Sequence, residues 1–151
     1  MNPDELIDHP EGGRFLEVHR SSREVLRDDG ARRAALTHIY YALEKGELSR
    51  FHRVASDEVW NLYRGGPLHL HCWGGGKAPP ERIVLSSASG TFCHTIPAGT
   101  WQAAESPAGS VLVGCSVAPG FDFADFGLLS ASSPLGRRLL AVAPELRRFL
   151  G

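Results

Sequence analysis

A histidine and a glutamate six positions apart are the residues of this sequence most suited to chemistry. His52 and Glu58 lie within residues 46–65, and glycines stand at both ends of that stretch. Alternate side chains of a strand share a face, so His52 and Val54 point the same way. After a bend at residues 55–57, Glu58, Trp60 and Leu62 can join that face. One base, one acid and apolar walls are typical of a ligand pocket, although the same residues also fit a sandwich core in which His52 pairs with Glu58.

A second stretch, residues 97–102, also places a polar side chain after a turn. It reads Pro97-Ala-Gly99-Thr-Trp101-Gln102. The two stretches resemble the two cupin motifs in the right order, with Val54 and Gln102 where metal-binding histidines usually stand. Further matching blocks are His9–Gly13, Ile39-Tyr40, Ser56–Glu58 and Gly114–Phe123. Together they resemble the short single-domain cupins of the cupin-5 family, over about residues 9–128.

This resemblance implies an all-β fold, a cupin jelly-roll β-barrel. It also implies a homodimer in which N-terminal strands join the neighbouring subunit's sheet. It implies no particular reaction, because the superfamily includes metal oxygenases, isomerases, epimerases, lyases and plain binding proteins.

One hypothesis for the site is a metal-dependent cupin oxygenase. Its ligands would be His52, Glu58 and Gln102, holding a divalent metal such as iron, zinc, manganese or nickel. An amide oxygen is a weak ligand for transition metals, so the set is poor unless another histidine completes it. His69 and His71 alternate with apolar residues and are expected on a polar outer face.

The favoured hypothesis needs no cofactor and uses the same residues as acid and base on a carbonyl-containing metabolite. His52, held by Glu58, would abstract a proton next to the carbonyl. Tyr63 or Tyr40 would return a proton, and Gln102 would donate a hydrogen bond to the developing enolate. This is chemistry of the isomerase, epimerase, cyclase or lyase type.

A third hypothesis is a non-enzymatic protein that binds a small hydrophobic or ring-shaped ligand. Such a pocket would be enclosed by aromatic side chains and a thiol, namely Trp60, Trp101, Phe121, Phe123 and Cys93, with Tyr40 as a further candidate. Each aromatic residue taken singly is more expected in the core; together with an interior His, Glu and Gln they favour a pocket.

The composition limits which partners and which cellular compartment are expected. The 151 residues carry a net charge of −1 and only two lysines, without a basic cluster, which argues against nucleic acid as a partner. No apolar segment approaches membrane-spanning length, so a cytoplasmic protein with no membrane partner is expected. The three cysteines form no Cys-x-x-Cys pair and are expected as free thiols.

The order of the elements follows from turn residues and apolar alternation. We expect a single domain, residues 1–151, that opens with a short helix near residues 2–7. Strands are expected at residues 14–20, 37–43, 68–72, 81–85, 91–96, 100–104 and 110–117, besides the two motif strands. Residues 21–33 read as a polar surface connection, residues 121–126 as a last strand or a lid, and residues 133–150 as an amphipathic helical tail interrupted at Pro144.

Overall fold

Two antiparallel sheets make up most of the computed structural model, which describes residues 3–151. In chain order the strands are β1 (Ile7–Asp8), β2 (Arg14–Arg20), β3 (Glu24–Leu26), β4 (Arg32–Ala34), β5 (Thr37–Leu43), β6 (Leu48–Arg53), β7 (Asp57–Gly65), β8 (Leu68–Trp73), β9 (Glu81–Leu85), β10 (Cys93–Ile96), β11 (Trp101–Glu105), β12 (Val111–Ala118) and β13 (Gly127–Leu128). The alternation of β-branched and apolar residues thus predicted most of the strands.

The larger sheet has the order β1-β2-β5-β12-β7-β10, and the smaller sheet has the order β13-β6-β11-β8-β9. The expectation of a mostly β fold is confirmed. The two sheets face each other but do not close into one hydrogen-bonded barrel within residues 3–151, so the predicted barrel is corrected on this point.

The core lies between the two sheets. Tyr41 and Trp60 of the larger sheet pack with Leu70 and Leu85 of the smaller sheet, and all four side chains are buried. This core fills the space beside the Leu43 end of β5. The Thr37 end of β5 borders a cavity.

The C-terminal segment covers the outer face of the smaller sheet. Helix α1 (Pro134–Val142) begins after Ser133, whose hydroxyl accepts a hydrogen bond from the backbone N–H of Gly136. A 3-10 helix (Pro144–Phe149) follows. Its Phe149 packs in a second apolar cluster with Phe51, Trp101 and Leu139.

Three expectations about local structure need correction. Residues 21–33 are not an irregular surface connection but mostly the hairpin of β3 and β4, because Asp29-Gly30 makes a turn in which Gly30 has φ +87°. His71 is buried under Phe149 rather than on an open polar face. The N-terminal helix is only a 3-10 turn (Pro3–Glu5); residue 2 of its expected range lies outside the described residues.

Within residues 3–151, no helix is both long enough and apolar enough to cross a bilayer.

Candidate functional site

A cavity of about 450 Å³ opens beside the Thr37 end of β5. Most of its wall is apolar or aromatic, with titratable groups set among the apolar ones. The lining residues used below come from β2, β5, β6, β7, β12, the turn before β2 and the segments directly after β6 and β12. This composition is typical of a small-molecule site.

Glu11 reaches the cavity from the turn between β1 and β2. Gly12 and Gly13 follow it with φ values of +109° and +68°, in the region that favours glycine. A Cβ on Gly12 would lie 2.1 Å from the carbonyl oxygen of Leu48. The turn therefore packs directly on β6, and this contact holds the Glu11 carboxylate in the interior.

The Glu11 carboxylate is the centre of a buried polar cluster. Its Oε2 lies 3.0 Å from His52 Nε2 and 3.5 Å from His9 Nδ1, and its Oε1 accepts a hydrogen bond from Ser49 Oγ at 2.9 Å. His52 Nδ1 lies 2.7 Å from the carbonyl oxygen of Arg50. Because a carbonyl can only accept, we assign a proton to Nδ1.

These contacts make His52 and Glu11 a buried ion pair. Burial alone would lower the pKa of His52, but the Glu11 carboxylate outweighs it and raises the pKa of His52 to about 9. Burial likewise works against ionisation of Glu11, and His52 holds the Glu11 pKa below its usual value. His52 is therefore an imidazolium at neutral pH, with both ring nitrogens engaged.

Glu58 is the second interior carboxyl group. It lies on β7, is 7% exposed, and accepts a hydrogen bond from Gln102 Nε2 at 2.9 Å. Burial raises the pKa of Glu58 to about 7. At neutral pH, Glu58 is therefore present both as the carboxylic acid and as the carboxylate. Such a group suits a general acid or base.

His9 supplies a neutral imidazole to the same cavity. Burial, its largest influence, lowers the pKa of His9. Nδ1 accepts a hydrogen bond from the backbone N–H of Glu11 at 3.2 Å, so in the neutral ring we assign the proton to Nε2. This N–H is a possible donor to a ligand.

The segment after β12 forms an aromatic wall. Phe126 stacks on the His52 ring with centroids 5.6 Å apart, and Phe121 and Phe123 pack edge to face with centroids 4.8 Å apart. The neighbouring Asp125 accepts hydrogen bonds from both Arg27 and Arg33. The hairpin of β3 and β4 thus anchors this wall.

Some of the residues predicted from sequence do meet at the cavity. His52, Glu58, Phe121 and Phe123 line it, and so does Val54, the residue that stands in place of a motif histidine. Gln102 is buried behind Glu58, and its Oε1 accepts a hydrogen bond from Trp60 Nε1 at 2.7 Å. Gln102 and Trp60 therefore hold Glu58 in place and do not line the cavity.

Other predicted residues lie elsewhere, and their roles are corrected. Tyr63 is 50% exposed on the outer face of the larger sheet, and it lines a separate depression with Tyr40. Tyr63 has the opposite strand parity from Glu58, which turns it outward. Cys93 is exposed on β10, and Trp101 packs in the cluster under the C-terminal segment.

The proposed metal ligands do not fit a metal. Both ring nitrogens of His52 and both ends of the Gln102 amide are already in hydrogen bonds or an ion pair. Within residues 3–151, no group of three or more His, Cys, Asp or Glu side chains is arranged to hold a metal ion.

Sequence reasoning missed several lining residues, among them His9, Glu11, Cys115 and the charged residues Glu17 and Arg20. His9 and Glu11 were noticed only as part of the matching block His9–Gly13. Two titratable residues immediately before Gly12-Gly13 and a strand were the available signal, because such a turn can fold back on a neighbouring strand.

The cavity and the two facing sheets place the chain among the cupins. The family model for the cupin superfamily (DUF985) matches residues 3–129, and the chain belongs to this family. A hypothetical protein from Leishmania major is 30% identical, with 96% of this chain and 90% of that chain covered and a TM-score of 0.78. Protein SO0799 from Shewanella oneidensis is 32% identical, with 95% and 87% covered and a TM-score of 0.74.

More distant structures share the fold. KdgF from Halomonas sp. is 16% identical, with 81% of this chain and 93% of that chain covered and a TM-score of 0.58. No curated protein matches the sequence.

Proposed function

We propose that this cupin is an enzyme that moves a proton on a carbonyl-containing small molecule, in a reaction of the isomerase, epimerase, cyclase or lyase type, without a metal. The observation that supports this most is Glu58. Its carboxyl group is buried in the wall of a 450 Å³ cavity, and burial raises its pKa to about 7. An acid or base is most effective when its pKa lies near the working pH.

The roles differ from those predicted from sequence. Glu58, in place of His52, is the base that takes the proton next to the carbonyl. The N–H at His9 Nε2 is the donor to the oxygen on which negative charge develops. His52 is held at both nitrogens, so it acts as a positioning residue that keeps Glu11 ionised and supports Phe126.

Proton exchange with solvent tests this proposal without knowledge of the substrate. The protein is incubated in D2O with a panel of ring-bearing ketones, aldehydes and lactones, some uncharged and some carrying a carboxylate, and proton NMR follows deuterium at the carbon next to the carbonyl. We expect exchange with at least one compound, slowed about 10²-fold or more in Glu58→Gln. Exchange that is unchanged in Glu58→Gln overturns the proposal, and so does the absence of exchange across the panel.

The second candidate is a binding protein without catalysis. The wall is mostly apolar, and His52 has no free nitrogen. Compounds that bind the cavity tightly but never exchange protons would favour this function.

A further inference from the structure

The charges on the cavity wall are unevenly distributed. The carboxyl side chains that line it are Glu11, Glu17, Glu58 and Asp122, whereas Arg20 is the one guanidinium among the described lining residues. An anion entering this cavity meets more negative than positive charge. A phosphate or carboxylate needs at least one available cation, because leaving its charge buried and unpaired is costly.

Arg20 is already engaged. Its Nη2 lies 2.6 Å from Glu17 Oε1, and its Nε lies 3.3 Å from Glu17 Oε2. The same Nη2 also donates to the carbonyl oxygen of Phe121 at 3.1 Å. The two contacts with Glu17 fit the fork-shaped guanidinium of Arg20 to one carboxylate. A ligand carboxylate would have to displace Glu17 to make the same two-point contact with Arg20.

The other nearby cations are also paired. The positive charge of His52 lies against Glu11, with Nε2 3.0 Å from Oε2. Arg27 and Arg33 do not line the cavity, and both are bound to Asp125. No described cation therefore faces the cavity without its own carboxylate.

The remaining wall suits a flat, apolar ring. Phe15, Phe123 and Phe126 present aromatic surface, and Ile39 and Val117 add aliphatic surface. Aromatic side chains favour edge-to-face or offset contacts with a ring. A volume of about 450 Å³ lies within the range of small-molecule pockets.

We propose that the cavity takes uncharged, ring-bearing molecules and rejects carboxylates and phosphates, and that Glu17 sets this preference by occupying Arg20. The inference rests on the cavity of the proposed function and names its substrate class. Glu17 is a specificity-determining residue here. It lies at the exposed rim, away from Glu58, so its effect on selectivity is separable from proton transfer.

Two isosteric probes, benzamide and benzoate, test the preference on the full chain. Ligand-observed NMR measures the dissociation constant of each, and shifts of the His9 and His52 imidazole resonances locate the binding in the cavity. We expect benzamide to bind the unsubstituted protein at least about tenfold more tightly than benzoate. Equal or tighter binding of benzoate overturns the proposal, as does the failure of benzamide to bind.

The Glu17→Gln variant tests the assigned residue. Because it frees Arg20, we expect the affinity for benzoate relative to benzamide to rise about fivefold or more. Glu24→Gln is the matched control, since Glu24 lies 3.9 Å from Arg32 on the exposed hairpin, and it should leave the ratio unchanged. An unchanged ratio in Glu17→Gln contradicts the role of Glu17.

This outcome is independent of catalysis. If benzamide is preferred but no compound exchanges protons with solvent, the proposed enzyme fails and the substrate class stands. If Glu58-dependent exchange is found only with anionic compounds, the enzyme stands and the substrate class fails.

Discussion

Glu11 compensates the positive charge of His52 inside the cavity. The two side chains are 7% and 2% exposed, and they lie 3.0 Å apart. Removing one partner of a buried ion pair leaves the other uncompensated, which typically costs about 3–5 kcal/mol. We expect Glu11→Gln to lower the free energy of unfolding by roughly that amount and to lower the pKa of His52.

Urea denaturation followed by fluorescence measures this loss. Glu44→Gln is a suitable control, because its ion pair with Arg14 is exposed and should contribute at most about 1 kcal/mol. A loss in Glu11→Gln no larger than in the control contradicts the buried ion pair.

The pKa of His52 also predicts how stability depends on pH. The pKa is about 9 in the folded chain and 6.5 in the unfolded reference, so this contribution is complete below pH 6.5 and is lost as pH rises towards 9. The pKa of Glu58 is about 7 in the folded chain and 4.5 in the unfolded reference. Its contribution to stability is therefore also lost as pH rises, between pH 4.5 and 7. We expect the free energy of unfolding to fall by a few kcal/mol between pH 6 and 9. A constant or rising value over that range contradicts the assignment.

At the residue scale, the sequence predicted His52 and Glu58 because motif spacing and strand parity are local properties. The pairing of Glu11 with His52 was not predictable in this way, because it joins residues 41 positions apart through the turn before β2. Strand parity also explains why Tyr63 does not lie in the cavity, where it was predicted. Tyr63 is an odd number of positions from Glu58 on the same strand, so it faces outward.

The turn between β1 and β2 is the element that delivers His9 and Glu11. We expect Gly12→Ala to destabilise the fold by about 1–3 kcal/mol, because φ is +109° and the added Cβ meets the Leu48 carbonyl oxygen. Thermal unfolding measures the change. Gly76→Ala, whose Cβ would meet nothing within 4 Å, should change stability by less than about 0.5 kcal/mol. Equal effects of the two variants contradict a tightly packed turn.

Among the elements, strands with strict apolar alternation were predicted almost to the residue. Strand β8 covers residues 68–73, against the expected 68–72. The hairpin of β3 and β4 was missed, because it is short and exposed and so lacks an apolar stripe. Its function as the anchor of the aromatic wall depends on contacts of Arg27 and Arg33 with Asp125, more than 90 positions away.

The C-terminal segment is part of the core of the whole molecule. Phe149 is fully buried against Phe51 and Leu139. We expect Phe149→Ala to cost about 3–5 kcal/mol in the free energy of unfolding, because a large buried ring leaves a cavity. Chemical denaturation measures it, and Leu128→Ala, at a 41% exposed position, is the control. A loss below about 1 kcal/mol for Phe149→Ala contradicts the packing.

At the scale of the whole molecule, the mostly β architecture was predictable, because two motifs and many short alternating strands specify it. The separation into two open sheets was not predictable from the sequence. Whether the edge strands of the two sheets form hydrogen bonds with each other leaves no local pattern in the sequence. The homodimer stays a prediction.

The pKa of Glu58 tests most directly whether this residue is the base of the proposed reaction. Carbon-13 NMR of selectively labelled glutamate carboxyl groups follows each glutamate through a pH titration, and Glu58→Gln identifies the signal. We predict a midpoint for Glu58 near pH 7, where an acid or base is most useful. A midpoint near 4.5, the ordinary value for glutamate, would contradict the assignment of Glu58 as the base in the cavity.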